Sequence, residues 1–419
     1  MRSILILFLV SILYVGSVFW ATQGETFRLD SDYDSNFPII SYVVDTIRNE
    51  HRFPFWNPYV ATGISVLGDP LSGVLYLPYL VPMVVFGVPQ GWWMVIILHL
   101  FLAGMFMWMF LQKSTYALWG GLLYMGAGTF AARVAAGHIE KVLSYPWYPL
   151  FLLFLLRPSS GAALGAIMGI VFLTGDVYGL LFMGIWYGVI GIIRGIREIR
   201  EIGWVIMTFV IVAGVKLVPF FIEVAPVMER FSLFDAARGS IPVWLSWLPF
   251  VMPWGVEFYD RPIIQRLFGF WYNWYEYYAF IGLPVVFLVW LPRIIKRREV
   301  KILLILLAVG VVYAARGYVY SPWYGLAPLL EWFRVPQRMY GALTSIVVAL
   351  IVVGLKINTS RVLLLGMLFV TFLISGYQMT RAFEPPRSCC TQFHLVREKI
   401  RVINYYYGWL PKTVWENQK

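Results

Sequence analysis

The run SILILFLVSILYVGSVFW, residues 3–20, contains no charged residue. A helix over it is close to the roughly 20 residues that are needed to cross the hydrocarbon core of a bilayer. Similar runs recur along the 419-residue chain, which is 60% hydrophobic and only 13% charged. Because soluble domains are less apolar and more charged, the sequence predicts an all-α polytopic membrane protein. The first run could also be a cleaved signal peptide, but it lacks a clear small-x-small cleavage site, so we expect a retained helix.

Eleven segments are predicted to be transmembrane helices by length and apolar content. They are 3–20, 91–111, 116–131, 142–156, 160–175, 177–193, 203–221, 275–292, 301–315, 338–355 and 361–378. Residues 72–87 are also apolar, but Pro78 and Pro82 interrupt them. A proline inside a helix removes a backbone hydrogen bond and kinks the chain, so we predict a re-entrant or interfacial segment there.

Clusters of Lys and Arg predict the orientation, because short cytoplasmic loops carry an excess of these residues. The clusters are Arg2, Lys113, Arg157, 194–201, 293–301 and 356–361. All of them fall on one side only if 72–87 does not cross the bilayer. The predicted transmembrane domain is therefore 1–379, with external loops 21–90 and 222–274 and a short external tail, 380–419, that contains Cys389 and Cys390. The clusters also account for the net charge of +11, so we expect no nucleic-acid partner.

Acidic, histidine and arginine side chains gather on the predicted external side. They are Asp30, Asp32, Asp34, His138, Glu140, Asp176, Glu223, Glu276, Arg334 and Arg338. Ionisable residues near a bilayer are costly and are often functional. The one-sided distribution therefore predicts an external active site.

Three alternating aspartates, Asp30, Asp32 and Asp34, follow the first helix. A carboxylate suits glycosyl transfer, because an acceptor hydroxyl must lose its proton while positive charge develops on the sugar ring. The alternative is a structural role, in which these acids cap the next helix, about 36–49.

Arg334 and Arg338 lie at the predicted start of the 338–355 helix. Guanidinium groups at a helix N-terminus can bind a phosphate or pyrophosphate, although arginines at an interface also extend to the headgroups without binding a ligand. His138 and Asp176 each follow a glycine and could bind a hydroxyl, an acceptor or a metal. No metal-ligand spacing is present, and the acids neither require nor exclude a divalent cation such as Mg²⁺ or Mn²⁺.

Several motifs, in order, resemble those of YfhO-like membrane proteins, a branch of the C-type glycosyltransferase (GT-C) superfamily. The motifs are Pro54-Phe-Trp-Asn-Pro-Tyr59, Gly63, Asp69-Pro70, Ser72-Gly73, Tyr76-Leu-Pro78, Gly137-His138, Trp147-Tyr-Pro-Leu150, Gly175-Asp176, Pro219, Glu223, Glu276, Ile281-Gly282 and Phe333-Arg-Val-Pro-Gln-Arg338. The resemblance covers residues from about 25 to 355. One departure is Asp176, where the family commonly has His.

The resemblance implies an integral-membrane transferase that takes a sugar from a polyprenyl-phosphate (dolichyl-phosphate-type) donor. It implies an acid of the first external loop as the base, which here is Asp32 or Asp34. Asp30, His138, Glu140, Asp176, Glu276, Arg334 and Arg338 would bind substrates. The acceptor would be a glycan, a lipid or a protein. Two other functions fit the residues as well: a lipid or glycolipid transporter or flippase, and a non-catalytic glycolipid-binding subunit.

Overall fold

The structure is a computed structural model that describes residues 2–22, 32–59, 63–195, 199–227, 239–268, 273–316, 333, 335–355 and 360–381. It is 77% helical. The one sheet in these ranges is an antiparallel pair of two-residue strands, in which Trp56 lies opposite Ser65. The prediction of an all-α protein is therefore confirmed.

Among the described residues up to Leu155 there are eight helices and the strand pair. They are α1 (Arg2–Ala21), α2 (Tyr33–Glu50), β1 (Trp56–Asn57), β2 (Ile64–Ser65), α3 (Leu77–Phe86), α4 (Val88–Phe110), α5 (Ala117–Gly126), α6 (Gly128–Ala136), α7 (Ile139–Ser144) and α8 (Trp147–Leu155).

The second half continues with longer helices separated by short ones. These are α9 (Gly161–Leu173), α10 (Val177–Arg194), α11 (Ile199–Pro219), α12 (Leu248–Val251), α13 (Val256–Tyr259), α14 (Pro262–Phe268), α15 (Trp274–Tyr277), α16 (Leu291–Ile294), α17 (Arg298–Ala314), α18 (Met339–Gly354) and α19 (Arg361–Thr380). A π-helical turn, Phe220–Val224, extends α11, and 3₁₀ turns cover Ala225–Val227, Val243–Leu245, Leu283–Trp290 and Pro336–Arg338.

Six helices in the described ranges are long and apolar enough to cross a membrane. They are Arg2–Ala21, Gln90–Phe110, Val177–Arg194, Glu201–Val224, Pro336–Gly354 and Arg361–Thr380. Several of them expose large apolar side chains, such as Ile211, Val215 and Phe221 of the 201–224 helix. Apolar surfaces of this size are unfavourable in water but suit contact with lipid, so the helices are compatible with a multi-pass membrane protein.

Other predicted spans are shorter or interrupted in the structure. The 116–131 span is split at Ala127 into α5 and α6, and the 142–156 span is divided between the end of α7, at Ser144, and α8, which begins at Trp147. The 275–292 span consists of α15, an extended segment and a 3₁₀ turn, because Gly282 has a φ of +80° and Pro284 follows it. The 72–87 segment contains only the ten-residue α3. At 1.5 Å per residue that helix is about 15 Å long, half of the hydrocarbon thickness, as a re-entrant segment requires.

Helix α18 lies at the centre of the bundle. Fourteen of its sixteen residues are buried, and it packs against α5, α8, α10 and α17. Its polar residues find partners inside the bundle: the hydroxyl groups of Thr344 and Thr129, on α6, are 2.8 Å apart. The first turn of α18 is therefore held at a fixed place relative to α6 and α10.

Helices α9 and α11 approach each other closely along a stripe of glycines. Gly161, Gly165 and Gly169 face α11, and a Cβ on Gly165 would overlap the carbonyl oxygen of Val205. Small residues at four-residue spacing allow helix backbones to pack in direct contact within a membrane. The stripe therefore explains why this helix pair forms.

We expect Gly165→Leu to destabilise the protein by about 2 kcal/mol or more, because the added side chain must separate two backbones. The matched control is Gly184→Leu on α10, where a Cβ meets nothing within 4 Å. The measurement is Tm in detergent, with monodispersity followed by size exclusion. Equal Tm values for the two variants would contradict the direct backbone contact.

Candidate active site

The turn between α6 and α7 organises the candidate site. Gly137 has a φ of +78°, and the amides of Gly137 and His138 donate to the carbonyl groups of Val134 and Arg133, at 3.2 and 3.0 Å. This pair of bonds closes the helix end as a Schellman motif does. The turn brings the side chains of Arg133 and His138 together, with Nη1 of Arg133 2.9 Å from Nδ1 of His138.

The beginning of α2 packs directly on this turn. The Asp32 amide donates to the Ala136 carbonyl at 3.1 Å, and Asn36 Nδ2 donates to the Gly137 carbonyl at 3.1 Å. A Cβ on Gly137 would lie only 2.6 Å from the Tyr33 amide nitrogen. Glycine is therefore required at 137 both for the turn and for the close approach of residues 32–33.

Asp32 points at His138. Its Oδ2 lies 3.1 Å from His138 Nε2. Although Asp32 occupies the position before α2, its side chain makes no capping hydrogen bond to that helix. The geometry of Asp32 therefore does not fit the interpretation that this aspartate caps α2.

The protonation of the His138 ring follows from its two neighbours. Arg133 has only donors and stays charged, so His138 Nδ1 must accept from it. A neutral imidazole carries its proton on the other nitrogen. Nε2–H therefore donates to the Asp32 carboxylate, and the ring is held in one tautomer.

Glu276, on α15, joins two arginines. Its Oε2 accepts from Arg133 Nη1 at 2.6 Å, and its Oε1 accepts from Arg338 Nε and Nη2 at 3.1 and 2.9 Å. Burial alone would raise the pKa of Glu276, but the positive charges of Arg338 and Arg133 lower that pKa well below its ordinary value. Glu276 therefore remains a carboxylate that binds two cations, which makes it a poor proton acceptor.

Arg338 lies where the Pro336–Arg338 turn leads into α18. Val335, just before it, has a φ of +59°, which is strained for a β-branched residue. The Arg338 guanidinium lies over the Tyr178 ring, 4.7 Å from its centroid, and Lys141 Nζ is 4.5 Å from the same centroid. One aromatic ring at the start of α10 therefore contacts two cations.

Asp176 is fully buried immediately before α10. Its carboxylate accepts from Lys141 and Ser144, from the Tyr148 hydroxyl at 3.2 Å and from the Gly179 amide at 2.8 Å, which caps α10. Burial alone would raise the pKa of Asp176, but Lys141 and the other donors lower it. This environment is that of a structural carboxylate that holds α7, α8 and α10 together.

These side chains form one connected group, which we call the charge cluster: Asp32, Arg133, His138, Lys141, Asp176, Glu276 and Arg338. The structure thus brings together five of the predicted site residues, namely Asp32, His138, Asp176, Glu276 and Arg338. Glu140, in the first turn of α7, is partly exposed beside them. Asp34 lies within α2, but its side chain is outside the description, and Asp30 and Arg334 lie outside the described residues.

Three members of the site were not predicted from the sequence: Arg133, Lys141 and Tyr178. Arg133 and Lys141 flank Gly137-His138 within apolar surroundings, and buried cations in such positions are functional candidates by default. Tyr178 follows Gly175-Asp176 by two residues, but only the fold shows that its ring contacts two cations. In the described ranges no group of three or more His, Cys, Asp or Glu side chains is arranged around a metal position.

Five members of the charge cluster are buried, and two are partly accessible to solvent. The side chains of Arg133, His138, Lys141, Asp176 and Glu276 are at most 7% exposed, whereas those of Asp32 and Arg338 are each 16% exposed. A substrate could therefore reach one carboxylate and one guanidinium, while the other charges hold these two in place.

Searches with this chain find no matching family model, no matching curated protein and no matching solved structure.

We expect Glu276→Gln to destabilise the protein by about 3 kcal/mol, because removing one partner leaves two buried arginines without their carboxylate. Since the pKa of Glu276 is lowered in the folded state, its contribution is present above the ordinary value of 4.5 and is lost as the pH falls below it. Tm in detergent should therefore differ most between wild type and variant near neutral pH, and the difference should shrink in acid.

The matched control for that measurement is Glu50→Gln. Glu50 is exposed at the end of α2 and pairs with Arg52, so its replacement should change stability by less than about 0.5 kcal/mol. A Glu276→Gln protein as stable as this control at neutral pH would show that the two arginines do not depend on Glu276.

Proposed function

We propose that this protein is an integral-membrane glycosyltransferase that transfers a sugar from a polyprenyl-phosphate donor to an acceptor hydroxyl, with inversion at the anomeric carbon. The observation that carries the proposal is that one charge cluster contains an accessible carboxylate, Asp32, held by His138, and an accessible guanidinium, Arg338, held by Glu276. These are the two charges that such a transfer requires: a base for the acceptor and a cation for the departing phosphate.

In the proposed reaction Asp32 accepts the proton of the acceptor hydroxyl. The oxygen then forms a bond to the anomeric carbon as the bond between that carbon and the phosphate oxygen breaks. The leaving polyprenyl phosphate keeps the electron pair. Because a single carboxylate acts on the face opposite the leaving group, the stereochemistry is inverted. The hydrogen bond from His138 orients the Asp32 carboxylate.

Arg338 supplies positive charge for the leaving phosphate. It lies at the N-terminal end of α18, where the helix dipole and the free amides also favour an anion. Its side chain is fixed by two hydrogen bonds to Glu276 and by the Tyr178 ring. A fixed cation aimed at developing negative charge stabilises a transition state without reorganisation.

The proposal includes a GT-C-like architecture with about eleven membrane crossings, some of them made by the shorter helices, and a site on the extracytoplasmic side. The excess of Lys and Arg in the loops away from the charge cluster supports that orientation. The acceptor would be a glycan, a lipid or a protein hydroxyl. A divalent cation is compatible with the chemistry, since carboxylate oxygens suit Mg²⁺.

A transporter or flippase is the second candidate, because buried charges also line translocation paths. A non-catalytic glycolipid-binding subunit would use the same groups for binding alone. Purified protein in nanodiscs, given a short-chain polyprenyl-phosphate hexose and a glycan acceptor, distinguishes these three functions. Release of polyprenyl phosphate with formation of a glycosidic bond requires the enzyme, whereas movement or binding of intact lipid supports the others.

We expect Asp32→Asn to lower the rate of sugar transfer by about 10²-fold or more, the usual contribution of a general base. The substitution keeps the shape of the side chain, so Tm should change little. The measurement is the initial rate of polyprenyl phosphate release in nanodiscs. Asp45→Asn is the control, since Asp45 is exposed on the same helix. Full activity in Asp32→Asn would exclude Asp32 as the base.

We expect Arg338→Lys to reduce kcat/KM for the lipid-linked donor by about tenfold or more, because an ammonium group does not reproduce the fork of a guanidinium. Inhibition by the product, polyprenyl phosphate, should weaken in the same variant. Arg261→Lys, at an exposed position beside α14, serves as the control. If Arg338→Lys changes KM for the acceptor alone, Arg338 does not bind the phosphate.

A further inference from the structure

A cavity lined in part by charged side chains lies at the other end of α10 from the charge cluster. Helix α10 begins beside Asp176 and Tyr178 and ends at Arg194. Its 18 residues span about 27 Å at 1.5 Å per residue, close to the thickness of the hydrocarbon core. The cavity has a volume of about 530 Å³ and is formed where α8 and α10 end and where α9, α11 and α17 begin.

Three arginines from three different parts of the chain line this cavity: Arg157 after α8, Arg194 at the end of α10 and Arg298 at the start of α17. In the described ranges none of the three forms an ion pair with a carboxylate. Arg194 donates to the carbonyl of Arg157 at 3.4 Å, and Arg194 and Arg298 repel each other. Bringing these cations together is unfavourable unless an anion compensates them.

Two carboxylates, Glu201 and Glu299, also line the cavity and compensate part of this charge, so that three arginines and two glutamates leave a net charge of +1. Glu201 Oε2 accepts from the Gly161 amide at 2.7 Å and so caps α9. Glu299 lies in the first turn of α17, where the helix dipole favours an acid. Ser159, on the cavity wall, has a φ of +52°, a strained conformation of the kind that concentrates at binding sites.

We propose that this cavity binds a phosphate-bearing anion, with the headgroup of an anionic phospholipid as the occupant. The sequence predicts that this end of the bundle faces the cytoplasm, where the leaflet is rich in anionic lipid. Basic pockets between membrane helices on that side have the position and charge to hold a lipid phosphate. The site lies at the opposite end of α10 from the charge cluster, so it does not depend on the proposed transferase activity.

The test titrates acyl-labelled phosphatidylglycerol into the purified full-length protein in maltoside micelles at low salt. Replacing Arg157 or Arg298 by Gln should weaken binding about fivefold each, and replacing both should weaken it about 25-fold. Both side chains are exposed, so folding should be preserved, and Tm and monodispersity check this. If the double variant does not fold, the single variants carry the test.

The controls separate this site from general positive charge. Arg361→Gln removes an exposed cation at the start of α19 and should leave binding unchanged, and acyl-labelled phosphatidylcholine should bind wild type and variants equally. Displacement of the label by millimolar inorganic phosphate, sensitive to the same two arginines, would identify a soluble phosphate as an occupant of the same site. Equal phosphatidylglycerol binding by wild type, Arg157→Gln and Arg298→Gln would overturn the proposal.

Discussion

The two bonds made by the Arg133 guanidinium, to His138 and to Glu276, are the interaction on which the candidate site depends. Arg133 is 4% exposed and lies in the last turn of α6. A buried guanidinium is stable only when its charge is compensated and its donors are bonded. By binding Glu276 on one side and the His138 ring on the other, it connects α6, α7 and α15. At one end of this series of contacts His138 binds Asp32, and at the other end Glu276 binds Arg338.

The arrangement also divides the charges by role. Glu276 and Asp176 each accept several hydrogen bonds from buried donors, so they stabilise the fold and position their partners. Asp32 and Arg338 lie at the accessible edge. Pairing a fixed scaffold with two reachable charges is what preorganised catalysis requires, because the reacting groups need not be reoriented during the reaction.

Part of this site could be predicted from the sequence. Membrane helices follow from apolar runs, and orientation follows from Lys and Arg, so Asp32, His138, Glu276 and Arg338 could be placed on one side before any contact was known. The contacts between these side chains could not be predicted from the sequence, because they depend on tertiary packing. Gly137, for example, allows the backbone of residues 32–33 to approach closely, and this brings Asp32 to His138. Arg133 was not predicted because it lies just beyond the end of the predicted 116–131 span. In the structure the chain breaks at Ala127, and Arg133 lies in the separate helix α6. A similar break at Gly282, which is followed by Pro284, explains why residues 275–292 do not form one continuous helix.

The tautomer of His138 tests this account most directly. The chain has four histidines, so ¹⁵N-histidine labelling of the protein in nanodiscs, with His138→Gln to assign the signals, can report both ring nitrogens of His138. Because Arg133 occupies Nδ1 as a donor, we expect a proton on Nε2 and none on Nδ1. A proton on Nδ1, alone or together with one on Nε2, would contradict this account.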